Sequence, residues 1–321
     1  MTPFSYTRAG SERDALRLAA LPGAAFIAGG TDFLPLWKSG IAAPERVVDI
    51  ARLPLDRIDV GDDTIAIGAL ARLADVARHP TIRHELPVLA DALLASASPQ
   101  VRNAATVGGN LMQRTRCFYF RGDGFACNKR TPGSGCSALL GENRLHAILG
   151  TSDACIAAHP SDLAVALVAL GASLRLSSER RVPIDDFFLL PGDTPERETV
   201  LAPGELIVAV DVPRPTGRSR SAYLKLRDRA SFEFAVVSAA AVVDDRRSIR
   251  LAAGGVGTKP WRLKACEAAL AGAAIDEDTL PRAAALAADG ARPLEGNRFK
   301  VELLQRTVHR LLSDVLLRDE Q

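Results

Sequence analysis

Phe26-Ile27-Ala28-Gly29-Gly30-Thr31-Asp32-Phe33-Leu34-Pro35-Leu36 is the stretch on which the reading of this chain turns. An apolar run stops at two glycines, and Thr31 and Asp32, both good helix N-cap residues, precede a second apolar run. That order predicts a strand, a glycine turn and a helix start. Glycines permit positive φ and put no Cβ in the path of an approaching molecule. The unpaired N–H groups of a first helical turn favour an anion, most often a phosphate. Taken alone, the stretch reads as a tight capped turn without a ligand, because it is neither GxGxxG nor GxxxxGK(S/T). A second stretch of the same kind, Thr106-Val107-Gly108-Gly109-Asn110-Leu111, changes the balance. Two glycine-pair turns far apart in sequence suit two walls of one elongated dinucleotide site.

The chain has 321 residues, enough for two or three domains with their own cores. With 40 Lys+Arg against 38 Asp+Glu the net charge is +2, so nothing in the balance asks for nucleic acid or an acidic membrane. No apolar run approaches the length of a membrane span. The start, MTPFSYTRAGSERDAL, lacks a basic segment followed by an apolar one, so no secretory signal is expected; export as the passenger of a signal-bearing partner stays open.

Along the chain, Ala15, Leu16, Ala19 and Ala20 recur at helical spacing, and Arg46–Ile50 reads as a short strand. With the opening stretch this is a β/α alternation, which predicts parallel strands carrying the phosphate turn at their carboxyl ends. A strand over 64–70 and helices over 73–77 and 86–97 lead to the second glycine turn. Residues 162–170 read as a buried helix starting near Ser161 or Asp162, followed by strands at 173–176 and 206–210. Pro213-Arg-Pro-Thr-Gly217 interrupts both helix and strand and marks the expected boundary. Beyond it come strands near 222–226, 235–243 and 249–255, and a last helix over about 298–317. That helix places Leu304, Val308, Leu311 and Val315 on one row, which predicts packing on a sheet.

Between Asn110 and His159 no long periodic segment is visible, yet Cys117, Cys127, Cys136 and Cys155 all fall there. A loop this long is functional or disordered, and four cysteines argue for a staple. Disulfides suit small domains better than a chain with an ample core. Structural zinc favours closely spaced cysteine pairs, whereas here the intervals hold nine, eight and eighteen residues. An iron–sulfur cluster needs four thiolates and tolerates varied spacing. From spacing all three stay open. Cys266, in an Ala/Leu-rich helical pattern, reads as a small buried hydrophobe.

AGGTDFLPL, SPQVRNAATVGGNLMQRTRC, CNKRTPGSGC and HPSDLAVAL, in that order, resemble the FAD-binding subunits of the xanthine oxidase (molybdenum hydroxylase) family, and within it the periplasmic aldehyde oxidoreductase group. The later KLRDRAS and GGVGTKPWR stretches extend the likeness to the whole chain. The resemblance implies an α+β fold: a vanillyl-alcohol-oxidase (PCMH) type FAD-binding domain of two α+β subdomains over 1–215, then a C-terminal α+β domain of the CO dehydrogenase flavoprotein type over 218–321. It implies that Ile27, Ala28, Gly29, Gly30, Thr31, Asp32, Phe33 and Leu34 cradle the FAD pyrophosphate and that Thr106, Gly109 and Asn110 form the second wall. Asp162, with His159 nearby, is expected on the nucleotide portion and Lys225 at the flavin ring, where a cation stabilises negative charge on the reduced ring. Each has a bland counterpart: Asp162 as a helix cap, Lys225 as a solvated strand residue, His159 as a satisfied loop histidine.

A minority of that family, including the aldehyde oxidoreductases and hydroxybenzoyl-CoA reductases, carries a [4Fe-4S] cluster in this subunit. The resemblance therefore makes Cys117, Cys127, Cys136 and Cys155 the expected ligands, in a loop over about 112–158. It implies an electron-transfer subunit in a heterotrimer with a large molybdenum-cofactor subunit and a small [2Fe-2S] subunit, converting aldehyde to carboxylic acid and passing electrons to an external acceptor. No catalytic acid or base is expected in this chain, since its five histidines form no HExxH and no Ser/His/Asp or Cys/His arrangement is evident. Competing readings are a hydroxybenzoyl-CoA reductase flavoprotein, a stand-alone flavin oxidase, and a non-catalytic module with structural zinc. The expected compartment is the periplasm by co-export, with the cytoplasm as the alternative.

Overall fold

The first sheet is built around the glycine turn. Strands β1 (Ser5–Arg8), β2 (Ala24–Ile27) and β3 (Arg46–Asp49) alternate with helices α1 (Glu12–Ala19) and α2 (Phe33–Lys38). All three strands are parallel in the order β1-β3-β2, as the alternation predicts. Gly29 and Gly30 follow the carboxyl end of β2, and Gly30 takes φ +70. This computed structural model describes residues 3–215, 217, 219–244, 248–276 and 278–317. Thr216 of the expected boundary and residues 1–2, 218, 245–247, 277 and 318–321 of the expected domains lie outside them.

A second sheet follows. It is made of β4 (Ile58–Val60), β5 (Thr64–Gly68), β6 (Ser173–Leu176), β7 (Arg181–Pro183) and β8 (Ile207–Pro213), antiparallel in the order β4-β5-β8-β6-β7. Between β5 and β6 lie α3 (Leu73–Arg78), α4 (Pro80–Glu85), α5 (Pro87–Ala95), α6 (Pro99–Ala104), α7 (Val107–Leu111), α8 (Phe118–Arg121) and α9 (Asp162–Leu170). Every residue of α9 is buried, which is why its sequence is apolar all round. Ser161 caps it by accepting from Ala164 N, and Gly171 ends it at φ +68. The N-cap is thus Ser161, leaving Asp162 free for another partner. A short α10 (Ile184–Phe187) follows β7.

The third sheet is antiparallel, in the order β12-β11-β10-β9, from β9 (Arg220–Leu226), β10 (Val237–Val243), β11 (Ile249–Gly254) and β12 (Trp261–Arg262). Both its faces are covered, and β10 records this in small residues at a period of two. Ala240 joins the core under α5 and α9, while Ala239, Ala241 and Val243 face α11 (Lys264–Leu270), α12 (Thr279–Ala285) and α13 (Phe299–Leu316). Leu304, Val308, Leu311 and Val315 of α13 are buried there, as their spacing predicts, and Cys266 is a buried hydrophobe in α11.

Two polar groups in this core need partners and have them. Lys300 is fully buried, and its Nζ donates to the carbonyls of His146 at 3.0 Å and Gly255 at 2.8 Å. Asn297, equally buried, donates to the carbonyls of His146 and Ala147. Together they tie α13 to the cysteine-bearing loop and satisfy carbonyls that would otherwise be orphaned.

A Cβ at Gly29 would overlap the Ala104 carbonyl, backbone against backbone, whereas nothing lies within 4 Å of one at Gly10. Gly29→Ala is expected to cost about 2–4 kcal/mol in chemical denaturation and Gly10→Ala less than about 0.5 kcal/mol; equal effects would remove the steric explanation. For Lys300, burial, reinforced by Arg144 and opposed by Asp228, lowers the pKa from 10.5 to about 7. Between those values the unfolded chain binds the extra proton, so this group makes stability rise with pH through that window and contributes no slope below it. Wild type is therefore expected to gain stability relative to Lys300→Met as pH rises from about 7 to about 10, measured by paired denaturation curves; parallel pH profiles would contradict this.

Candidate functional site

The two glycine turns face one another. Gly29 packs against the backbone of Ala104 and Ala105, immediately before the second turn, and Gly108 packs against Ala69. Gly29, Gly30, Thr31, Thr106 and Gly109 line a common cavity of about 410 Å³ that reaches an apolar end at Ile50 and Leu206. Ala28, Asp32 and Phe33 line it too, while Ile27 and Leu34 support it from behind, Ile27 through its carbonyl to Ile50 N. Thr106 caps α7 by accepting from Gly109 N, and a Cβ at Gly109 would meet that hydroxyl at 2.8 Å. This is a backbone-lined cradle that needs glycine, and it fits the phosphate-bearing middle of a dinucleotide.

Asp32 departs from the expected capping role. It stands at the N-cap position of α2 yet makes no capping bond. Its Oδ2 accepts from Arg114 N at 2.8 Å, and its Oδ1 accepts from Arg116 Nη1 at 2.6 Å and Arg121 Nη2 at 2.7 Å. Charge-assisted bonds to two guanidinium groups outcompete one local cap. Burial lowers the Arg116 pKa to about 10, against the pull of Asp32, so the side chain is still cationic at neutral pH.

Two further cavities continue from the first. One of about 530 Å³ shares Met112, Arg114 and Leu201 with it, and one of about 470 Å³ is reached past Thr115 and His159. His159 lines both; its ring stacks edge-on against Phe188 at 4.5 Å, and burial lowers its pKa to about 3, so it is neutral. Asn110 Oδ1 accepts from Ser161 Oγ at 2.6 Å, which fastens the second glycine turn to the start of α9. Asp162 borders the 470 Å³ cavity and accepts from Tyr223 Oη at 2.6 Å and Lys225 Nζ at 2.7 Å. Burial, with Asp162 adding to it, pushes the Tyr223 pKa well up, so it is a donor. Lys225 also donates to Ala95 O and is only 3% exposed. It is therefore not a solvated strand residue; it brings Asp162 under control of β9 in the C-terminal sheet.

The long loop folds around its cysteines. Cys117, Cys127, Cys136 and Cys155 line one small void with Tyr119 and His146, and all five cysteines are free thiols. Residues 127 and 136 pair as an isolated antiparallel bridge, and Arg130 gathers the carbonyls of Tyr119, Phe120 and Gly122. His146 Nε2 lies 3.1 Å from Cys117 Sγ. Burial pushes the Cys117 thiol up to about 12 and the Cys155 thiol up as well. Among the described residues, no group of three or more His, Cys, Asp or Glu side chains is arranged to hold a metal ion.

Several residues that matter here have no signature in the sequence. Arg114, Arg116 and Arg121 flank the first cysteine, but the carboxylate they serve is more than eighty positions earlier. Glu198, from the segment after α10, pairs with both Arg114 and Lys129 and closes the loop from the other side. The basic residues of Arg114-Thr-Arg-Cys-Phe-Tyr-Phe-Arg121 were a visible signal; their partner was not.

Comparison with known proteins completes this picture. Residues 2–215 match the FAD binding domain in molybdopterin dehydrogenase, and residues 221–318 match the CO dehydrogenase flavoprotein C-terminal domain. The chain is 47% identical to the aldehyde oxidoreductase FAD-binding subunit PaoB of Escherichia coli, over 98% of both chains. It is 28% identical to the glyceraldehyde dehydrogenase medium chain of Sulfolobus acidocaldarius, over 86% of this chain and 83% of that one. Among solved structures, carbon monoxide dehydrogenase from Hydrogenophaga pseudoflava lacking the Mo-pyranopterin moiety superposes with a TM-score of 0.77 at 27% identity, over 99% of each chain. With a glycine-walled dinucleotide cavity, this α+β fold and both matches spanning nearly all of its length, the chain belongs to the FAD-binding medium subunits of the molybdenum hydroxylase family of oxidoreductases.

Proposed function

We infer that this chain is the FAD- and [4Fe-4S]-carrying subunit of a heterotrimeric molybdenum-containing aldehyde oxidoreductase. The observation that carries the reading is the convergence of Cys117, Cys127, Cys136 and Cys155 on one void, in a chain 47% identical to an aldehyde oxidoreductase FAD-binding subunit. Four free thiols are the donor set of an iron–sulfur cluster. Structural zinc favours closely spaced cysteine pairs, whereas the intervals here hold nine, eight and eighteen residues. A cluster accepts ligands that stand further apart.

Gly29, Gly30, Thr31, Thr106 and Gly109 would hold the FAD pyrophosphate, Asp162 with His159 nearby would meet the nucleotide portion, and Lys225 would come from the C-terminal domain to the flavin ring. Flavin, when bound, supplies two-electron storage between single-electron carriers and a two-electron acceptor. The chain's own contribution is positional. Backbone N–H groups and cations bind the phosphates, apolar walls at Ile50 and Leu206 exclude water, and Lys225 fixes the Asp162 carboxylate. Partner subunits carrying molybdenum cofactor and a [2Fe-2S] centre would perform the aldehyde chemistry and feed electrons to this chain, which would deliver them to an external acceptor. Its place would be the periplasm, reached by co-export in the folded complex.

The test is the absorption spectrum of the anaerobically handled complex, with iron and zinc quantified on the same sample and on Cys127→Ser. Flavin bands over a broad iron–sulfur shoulder are expected, with about four fewer irons per complex in the variant and bleaching on addition of an aromatic aldehyde to wild type. Stoichiometric zinc in place of that iron would overturn the cluster. Bleaching by a hydroxybenzoyl-CoA reductase's substrate couple and not by aldehydes would overturn the substrate class.

A further inference from the structure

The two cofactor sites share a single polar hinge. Asp32 sits one residue after the Gly-Gly-Thr turn of the dinucleotide cavity and itself lines that cavity. Its carboxylate is spent on the segment leading into the first cysteine: the backbone N–H of Arg114 and the guanidinium groups of Arg116 and Arg121. The same two arginines organise that segment's backbone, Arg116 by donating to Arg114 O at 2.6 Å and Arg121 by donating to Thr115 O at 2.9 Å. Thr115 Oγ1 in turn accepts from Cys117 N and donates to Ala158 O. Hydrogen bonds through Arg121 and Thr115 therefore join the residue after the glycine turn to the backbone of the first cysteine.

The charges give this link a direction. A bare carboxylate at the mouth of a phosphate cradle repels a diphosphate; one that shares its oxygen with two guanidinium groups presents a net positive hub instead. That positive hub exists only while residues 114–121 are folded back onto α2. A cluster held by four thiolates carries net negative charge and needs Cys117 in place, so it favours the same arrangement from the other side. Each cofactor thus stabilises the conformation that the other binds, which is the condition for positive coupling.

We propose that Asp32 is a positioning residue that couples FAD binding to cluster binding, through its bonds to Arg114, Arg116 and Arg121. The proposal rests on the cluster assignment above and adds to it a specific residue and a sign. FAD binds the cluster-loaded chain more tightly than the cluster-free chain, and by linkage the cluster is held more tightly when FAD is present. Asp32→Asn keeps the size of the side chain and weakens the charge-assisted bonds, so it reduces the coupling.

The experiment titrates the full chain with FAD, following flavin fluorescence, in four forms: wild type and Asp32→Asn, each cluster-loaded and stripped with an iron chelator. The expected result is a dissociation constant at least about fivefold lower for loaded than for stripped wild type. The ratio should approach one in Asp32→Asn. A merely structural role for Asp32 would weaken both of the variant's constants together and leave the ratio as in wild type, which would overturn the proposal. Equal constants for loaded and stripped wild type would overturn it without recourse to the variant, even if Asp32→Asn folds poorly. Wild type that carries FAD but no iron would defeat the cluster assignment and this inference with it; iron present without coupling defeats this inference alone.

Discussion

The ion pair between Asp162 and Lys225 is the constraint on which the arrangement of the two halves depends. Both side chains are 3% exposed, and each comes from a different part of the chain: Asp162 from the first turn of α9, Lys225 from β9. A charge buried alone there would cost several kcal/mol, so the two elements are held in the register that keeps the charges together. Tyr223, on the same face of β9, donates to the other carboxylate oxygen, and Lys225 also reaches Ala95 O at the end of α5. The apolar packing of α5 and α9 between two sheets supplies the bulk of the burial; this polar knot selects one way of stacking them.

The same logic recurs at the cavity mouth. A dinucleotide site made of glycines has shape but little charge, and its α2 helix is too short for a large macrodipole. Positive charge comes from the cysteine loop: Arg114 lines the cavity itself, and Asp32, which lines it too, is paired with Arg116 and Arg121. That solution makes the loop part of the binding site. It also explains why so long a connection without periodic structure is ordered: its carbonyls are gathered by Arg130, its first half is pinned by Asp32 and Glu198, and its later part is held by Lys300 and Asn297.

How much of this was legible in sequence follows from the range of the interactions. The glycine turns, the parallel first sheet, the buried helix over 162–170 and the amphipathic last helix are local patterns, and each is found where its period places it. Short edge strands such as Ser5–Arg8, Ile58–Val60 and Arg181–Pro183 were not visible, because three or four residues carry no periodicity. Asp32 looked like a cap because Asp after a glycine turn commonly is one. The arginines that claim its carboxylate arrive from the cysteine loop, and no local rule reports them. The burial of Lys225 is equally non-local, since it is created by α5 and α9 and not by its neighbours in the strand.

The sequence by itself determined the longer helices and strands and the two glycine turns, that four cysteines are available, and, by likeness, the family to which the chain belongs. Only the tertiary structure decided that the two turns close on one cavity, that the four thiols share one void, and that Asp32 and Asp162 each carry a cation from elsewhere. The division has a physical basis. Backbone propensities and hydrophobic period act over a few residues, whereas buried charges find partners by position in space, and position is set only when the whole chain has packed.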